Sequence, residues 1–350
     1  MIEPGTKYVI LTDAPMGETL AVWDELMRNC PYATQFTTPD FFTDPFVGGG
    51  ERFAVLAFEN SRAVGVVTGL RNGGQIRCGL PVRPQSAFRD GIDKQEIFAR
   101  FWDGILEFGD PEIDLVDIYS WEPIGGPLPS GFVESKCEGG DRVVMLDLTK
   151  GPEALFRDFS TRRRTQLRKV ERTGKVQVKT LETASELAEL YAIHCLWNEK
   201  KGIASEGIEV FSGMLESPSR IVLIAKFEGK IIAGTYLRFC ENGIVEYAAN
   251  NSLDEFQHLH ANELLGWRAI EWACERGFTK FSLGASHPFL SRFGGEVVAG
   301  YRYRADRSFL RMHTNRERFA AFASGAFGML PASIKRSLKA WGETVVGNRA

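Results

Sequence analysis

Nothing in this 350-residue chain approaches the roughly 18 consecutive apolar residues that a membrane-spanning helix requires. The start, MIEPGTKYVI, has neither a basic n-region nor an apolar h-region, so no signal peptide is expected. Its six cysteines (Cys30, Cys78, Cys137, Cys195, Cys240 and Cys274) are scattered without any C-x-x-C spacing and read as reduced, mostly buried thiols of a cytoplasmic protein. Charge of one sign is missing too. Lys and Arg total 42 against 45 Asp and Glu, a net −3, so there is no global pull toward DNA or an anionic membrane, and any such contact would be local. His258-x-His260 has no third ligand at a convincing spacing, so no metal site is expected. The Gly48-Gly49-Gly50 run precedes a strand instead of joining strand to helix, which excludes a phosphate loop. His194-Cys195 is a helix dipeptide with no identifiable base.

What is present is a soluble composition, 44% apolar and 25% charged, in a chain long enough for two domains of roughly 150 residues. The chain also repeats itself. FAVLAFENSRAVGVVTGLRNGGQIRCG (53–79) returns as VLIAKFEGKIIAGTYLRFCENGIVEYA (222–248) at a constant offset of 169 positions, placing Phe58 on Phe227, Gly65 on Gly234 and Gly74 on Gly243. Trp102 and Ile105 reappear later as Trp267 and Ile270. Self-similarity on this scale means two related domains.

Local patterns give the elements. Three strands are expected near 52–59, 62–71 and 74–79, with turns at Asn60-Ser61 and Asn72-Gly73-Gly74. Ile97, Phe98, Phe101, Ile105 and Phe108 carry helical spacing over 93–108, and 114–120 is a short strand. In the second half, 143–148 is a strand and 153–173 one basic helix stopped by Gly174. Then come a strand at 176–180, a helix at 185–200 behind a Thr183/Glu186 capping box, the repeated strands, and an amphipathic helix at 261–276. Strands at 280–283 and 300–305 follow, the last closing the second domain.

This order resembles that of the Gcn5-related N-acetyltransferases (the GNAT superfamily), and its duplication resembles the Fem-type peptidyltransferases and their CelD-like relatives. The resemblance rests on NELLGWRAIEWACERGFTKFSLGAS (262–286), through Leu265, Trp267, Ile270, Trp272, Ala273, Gly277, Phe281 and Gly284. It rests also on TRRRTQLRKVERTGKVQV (161–178), through Arg164, Arg168, Lys169, Gly174 and Val176, and on Phe289, Arg292 and Gly294. It implies a mixed α/β (α+β) fold of two tandem GNAT domains: 1–142 as the acceptor-binding half, 143–313 as the donor and catalytic half, and 314–350 as a helical tail. Acetyl-CoA-dependent members carry a Q/R-x-x-G-x-G/A loop. Here that stretch, 257–262, has histidine and asparagine in place of the glycines, which leaves acyl-CoA and aminoacyl-tRNA both open as donor.

Acyl transfer to an amine needs a deprotonated nucleophile, oxyanion stabilisation and a proton for the leaving group. The resemblance locates that chemistry between strands 243–249 and 280–284. Glu246, which interrupts an apolar strand, is the candidate base, or else pairs with Arg238 across the strands. Asn250 and Asn251 bind the acceptor or shape the following loop. His260 and Asn262 reach a phosphate or cap the helix. Ser286 and His287 end the second strand as candidate substrate-binding and catalytic groups, though Pro288 equally suits a turn. Tyr301, alternating with Arg302, Tyr303 and Arg304, donates the proton or packs at a sheet edge. Arg162, Arg163, Arg164, Arg168, Lys169 and Arg172 form the densest basic cluster, with Arg164, Arg168 and Arg172 on one helix face, and hold a phosphate-bearing ligand or form a solvated face.

The expectation is therefore a cytoplasmic acyltransferase moving an acyl group, acetyl above all, from acyl-CoA to an amine of a sugar, nucleotide sugar or cell-envelope precursor. A Fem-like enzyme using aminoacyl-tRNA is the alternative, and a non-catalytic binding protein of an envelope-polysaccharide system is the third. The tail around 319–330, with Lys335, Arg336 and Lys339 beyond it, touches a membrane surface or packs on the second domain.

Overall fold

A computed structural model describes residues 5–45 and 47–329. The first half contains β1 (Tyr8–Leu11), α1 (Gly17–Met27), β2 (Glu51–Glu59), β3 (Arg62–Asn72), β4 (Gln75–Leu80), β5 (Arg83–Pro84), β6 (Ser86–Phe88), α2 (Lys94–Gly109), β7 (Leu115–Ser120) and β8 (Phe132–Lys136). The second contains β9 (Val143–Asp147), α3 (Pro152–Asp158), α4 (Thr161–Thr173), β10 (Val176–Thr180), α5 (Ala184–Lys201), α6 (Ile208–Glu216), β11 (Arg220–Phe227), β12 (Lys230–Phe239) and β13 (Ile244–Ser252). It continues with α7 (Ala261–Glu275), β14 (Lys280–Ala285), β15 (Glu296–Val298), β16 (Tyr301–Asp306) and α8 (Met312–Met329).

Two mixed sheets result. One runs β1-β2-β3-β4-β7-β16-β8, and the other β10-β11-β12-β13-β14-β9-β15. Each has one parallel contact, β4 with β7 and β13 with β14, at corresponding places. A helix reaches each parallel strand by crossing over one face: α2 buries Ile97, Phe98, Phe101 and Ile105, and α7 buries Leu265, Trp267, Ala269 and Ile270. The opposite faces are covered by α1 in the first half and by α5 and α6 in the second.

Three expectations change. The helix foreseen over 153–173 is broken at Phe159-Ser160, where Ser160 leaves the helical region and its hydroxyl accepts from Arg163 N at 3.3 Å to begin α4. The strand foreseen as closing the second domain, β16, joins the first sheet instead, between β7 and β8. Asp117 on β7 draws it there, accepting from both Arg302 and Arg304 at 2.8–3.0 Å. The chain thus crosses from one sheet to the other after β8 and returns after β15, so sheet membership does not follow a single cut at 142.

The repeat offset is also not constant. The first hairpin turns at Asn60-Ser61 and its counterpart at Glu228-Gly229, 168 positions on, all four residues with positive φ. By the next hairpin the offset is 169, since Gln75 and Ile244 both open the parallel pairing. A one-residue slip reverses the faces of a strand. Gly65 accordingly lies under Ile97 of α2, whereas Gly234 lies under Leu190 of α5.

The halves lock together through small, close contacts. Ile244 N donates to Ala33 O at 2.8 Å, and a Cβ on Gly243 would stand 2.3 Å from that oxygen, so only glycine fits. Arg220 pairs with Asp44 and Ser219 with Asp40. Trp121, Val143, Met145 and Ile244 form a shared apolar cluster.

Candidate active site

Two strands that begin side by side and then part create the site. β13 and β14 pair at Ile244–Lys280, Val245–Phe281 and Glu246–Ser282 and no further. A bulge at Ala248 bends β13, because Tyr236 opposes Ala249 while Leu237 opposes Tyr247, leaving Ala248 without a ladder partner. Gly284, with φ 84°, lies where the register of β14 against β9 shifts between Ser282 and Ala285. Beyond the last pair opens a cleft of about 580 Å³, lined by residues 246–250 and 282–285, by Asn262, His287 and Phe289, and by Val82 and Arg83 from the first half.

Glu246 stands at the fork. It is 3% exposed, and its Oε2 is buried without a hydrogen-bond partner. Arg238 is its register partner on β12, yet the two form no ion pair. Burial pushes the Arg238 guanidinium down to about 10, with the Glu246 charge opposing that shift. Its Nε is likewise buried and unpartnered. Next to Glu246, burial raises the Tyr247 hydroxyl to about 12, which keeps it protonated.

His287 lies at the exposed rim. Its Nδ1 accepts from Phe289 N at 3.1 Å, which leaves the other ring nitrogen to face the cleft or solvent. Asn250 lines the cleft. Asn251, the next residue, points to the opposite face and meets His194 at 3.1 Å, within a cluster that includes Asn198 and Glu206.

A second cleft of about 330 Å³ meets the first at Asn262 and Phe289. It surrounds the N-terminus of α7, whose N-cap, His260, adopts the left-handed conformation (φ 56°) and makes no side-chain cap. The first-turn N–H groups are therefore not capped by that side chain, and Arg162 and Arg292 face the same space. Gln166 Oε1 and Asn262 Oδ1 are buried there without partners. An uncapped helix start with two arginines suits a polyanion. It differs from a glycine loop in that the His260 and Asn262 side chains occupy part of the approach.

Arg163 holds the wall between the clefts. It is fully buried, lies 3.3 Å from Glu263, and sits over the rings of Phe289 (4.3 Å) and Phe293 (4.2 Å). It also donates to Phe289 O at 2.8 Å. Burial lowers it to about 10, with Glu263 opposing.

Of the residues expected from sequence, Glu246, Asn250, Asn262 and His287 converge on the larger cleft, and His260 joins Asn262 at the smaller. The others stand elsewhere. Arg164 donates to Arg157 O and Phe159 O, both at 2.5 Å, closing the C-terminal end of α3. Arg168 lies over Phe156, and Lys169 is exposed on α4, so neither lines a cleft. The amide of Ser286 donates to Arg142 O, and its side chain is not in the lining. Tyr301 follows β16 into the first sheet, opposite Ser120 and Lys136. Arg162 and Arg163 were expected only as members of the basic cluster, Arg238 only as the cross-strand partner of Glu246, and Arg292 only through the resemblance; Arg83 was not expected. Arg163 had a signal, since 163, 167 and 170 share one helix face with Leu167 and Val170. Arg83 had none, because it arrives from the other half.

Among the described residues no group of three His, Cys, Asp or Glu is placed to hold a metal, and no helix is long and apolar enough to cross a membrane. The cysteines are free, four of them buried. On α8, Phe319 and Phe322 are exposed, while Lys335, Arg336 and Lys339 lie outside the described residues, as do the first four residues of the start.

Strand divergence, bulge and crossover helix mark a GNAT-type domain, and the recurrence of the parallel pair and its crossover helix marks a tandem fold. Residues 157–304 match the family profile described as an acetyltransferase (GNAT) domain, and the chain has the GNAT/Fem-type tandem fold. It is similar to the crystal structure of FemX, at 13% identity and a TM-score of 0.65, over 82% of this chain and 96% of that one. It is also similar to L-PGS from Bacillus licheniformis, at 12% identity and a TM-score of 0.54, over 87% and 95%. A conserved protein of unknown function from Bacteroides thetaiotaomicron VPI-5482 matches at 12% identity and a TM-score of 0.57, over 85% and 100%. No curated protein matches in sequence.

Proposed function

We propose that the chain is an N-acyltransferase that moves an acyl group, acetyl above all, from acyl-CoA to an amine of a sugar, nucleotide sugar or other cell-envelope precursor. The observation that carries this reading is Glu246 at the fork of β13 and β14, beside the bulge at Ala248 and opening onto the α7 N-terminus. Glu246 takes the proton of the acceptor amine. Backbone N–H groups at the bulge face the position where the acyl oxygen gains charge. His287, with Nδ1 already accepting, has its other nitrogen to return a proton to the leaving thiolate, in place of Tyr301. Arg162, Arg292 and the start of α7 hold the donor's phosphates. Val82 and Arg83 bring the first half to the cleft as the acceptor side.

Isothermal titration with acetyl-CoA and longer acyl-CoAs tests this reading. Micromolar binding is expected, weakened at least tenfold in Arg162→Ala or Arg292→Ala and unchanged in Arg168→Ala. No heat with any acyl-CoA would sink it. The side chains of His260 and Asn262 at the α7 start, where the resemblance calls for glycines, favour aminoacyl-tRNA as the second reading. Titration with bulk tRNA at low and high salt decides, because phosphate contacts weaken steeply with salt.

A further inference from the structure

We infer that the acceptor carries an anionic group within a few bonds of its amine, held by Arg238 and Arg83 while Glu246 faces the amine. This deepens the acyl-transfer reading of the same cleft and rests on it. Arg238 is 4% exposed, and no carboxylate lies within ion-pair distance of it among the described residues. Asp44, an acid on the adjoining segment of the first half, is already taken by Arg220 and by the Gln35 amide at 2.5 Å. The Arg238 guanidinium lies over the Phe36 ring at 4.4 Å, so its flat face is covered from the first half and its N–H edge remains for a ligand. Arg83, half-buried on β5, lines the same cleft and forms no ion pair among the described residues.

The cleft therefore presents two guanidinium groups and one carboxylate. A buried charge with no counter-charge is costly, and a plain ammonium would bring a third cation to a single carboxylate. An acceptor bearing a negative group beside its amine offsets the charge its ammonium brings. Register partners on neighbouring strands have Cβ atoms about 5 Å apart, so the Arg238 and Glu246 head groups address atoms separated by only a few bonds. An amino acid end, an amino-sugar phosphate or an ethanolamine phosphate has that spacing. Arg83 also lines a further cavity of about 320 Å³ with Gln75, Arg77 and Gln85, which leaves room for the rest of a larger molecule.

Titration of the full chain with small probes tests this, with and without CoA present. The probes are ethanolamine phosphate and β-alanine, which carry both groups, and ethanolamine and inorganic phosphate, which carry one each. A two-group probe is expected to bind at least tenfold tighter than either single-group probe, and the stronger of the two shows whether phosphate or carboxylate is the anion. Arg83→Ala, at a half-buried position, is expected to weaken that binding tenfold and to leave ethanolamine unaffected. Arg238→Gln should do the same, with its thermal unfolding measured alongside. Equal binding of ethanolamine and the two-group probes, no response to Arg83→Ala, or no binding with or without CoA each overturns the proposal. The assay contains no acyl donor, so failure of acyl-CoA to bind would register separately.

Discussion

Replacing Arg163 with methionine removes a cation around which the wall between the two clefts is built. The side chain is fully buried, pairs with a Glu263 that is only 13% exposed, stacks on two phenylalanine rings and donates to Phe289 O. Breaking a buried pair by deleting one partner costs about 3–5 kcal/mol, mostly because the other charge is stranded. Each ring contact adds ~0.5–2 kcal/mol, which methionine's own packing on Phe289 and Phe293 partly restores. The expected loss is therefore about 3–5 kcal/mol, read as a lower urea midpoint at unchanged slope. Glu263→Gln and the double variant complete a cycle whose coupling should reach about 1–3 kcal/mol. Acyl-CoA binding by natively folded Arg163→Met should fall at least tenfold, since Phe289 and Arg292 no longer hold position. A loss below about 1 kcal/mol with no coupling would refute the assignment of Arg163 as the organising residue.

Gly243→Ala forces a Cβ to within 2.3 Å of Ala33 O, backbone against backbone, so it should cost at least ~1–3 kcal/mol, seen as a lower Tm; Gly140→Ala, with open space around it, should be silent. Glu186 is held down to about 2 by Lys226 at 2.7 Å and Lys179 at 3.0 Å. Its folded pKa is depressed, so its stabilisation is present above the ordinary carboxylate range and disappears as pH falls from there through about 2. Acid titration of Glu186→Gln should lose that part of the pH dependence, and an unchanged acid-unfolding profile would count against the pairing. Tyr301→Phe should leave transfer activity within about twofold, because Tyr301 belongs to the first sheet; a large fall would return it to the chemistry.

Much of the architecture was legible in residue order. The periodicity at Ile97, Phe98, Phe101 and Ile105, the Thr183 cap and the Gly174 stop are contacts between near neighbours, and they appear where the sequence puts them. Glu246 was legible as a carboxylate in an apolar strand, and His260 and Asn262 as the residues opening a helix. The basic helix was legible as a cluster but not residue by residue, because Arg162 lines a cleft and Arg163 holds its wall while Arg164, Arg168 and Lys169 do neither. Charge density marks a helix but not which of its faces turns inward.

Residue order alone thus settles the main strands and helices and the duplication, because each follows from short-range spacing repeated along the chain, while the fork of β13 and β14 follows from the family resemblance. It leaves open which sheet β16 joins, since that depends on Asp117, some 185 positions away in sequence, being buried where two arginines can reach it. It leaves open Arg83 as well, brought to the cleft only when the first half docks through Ala33, Phe36 and Asp44. Pairing over such separations is selected by burial and charge in the assembled molecule, where partners distant in the chain compete for the same edge and the same counter-ion.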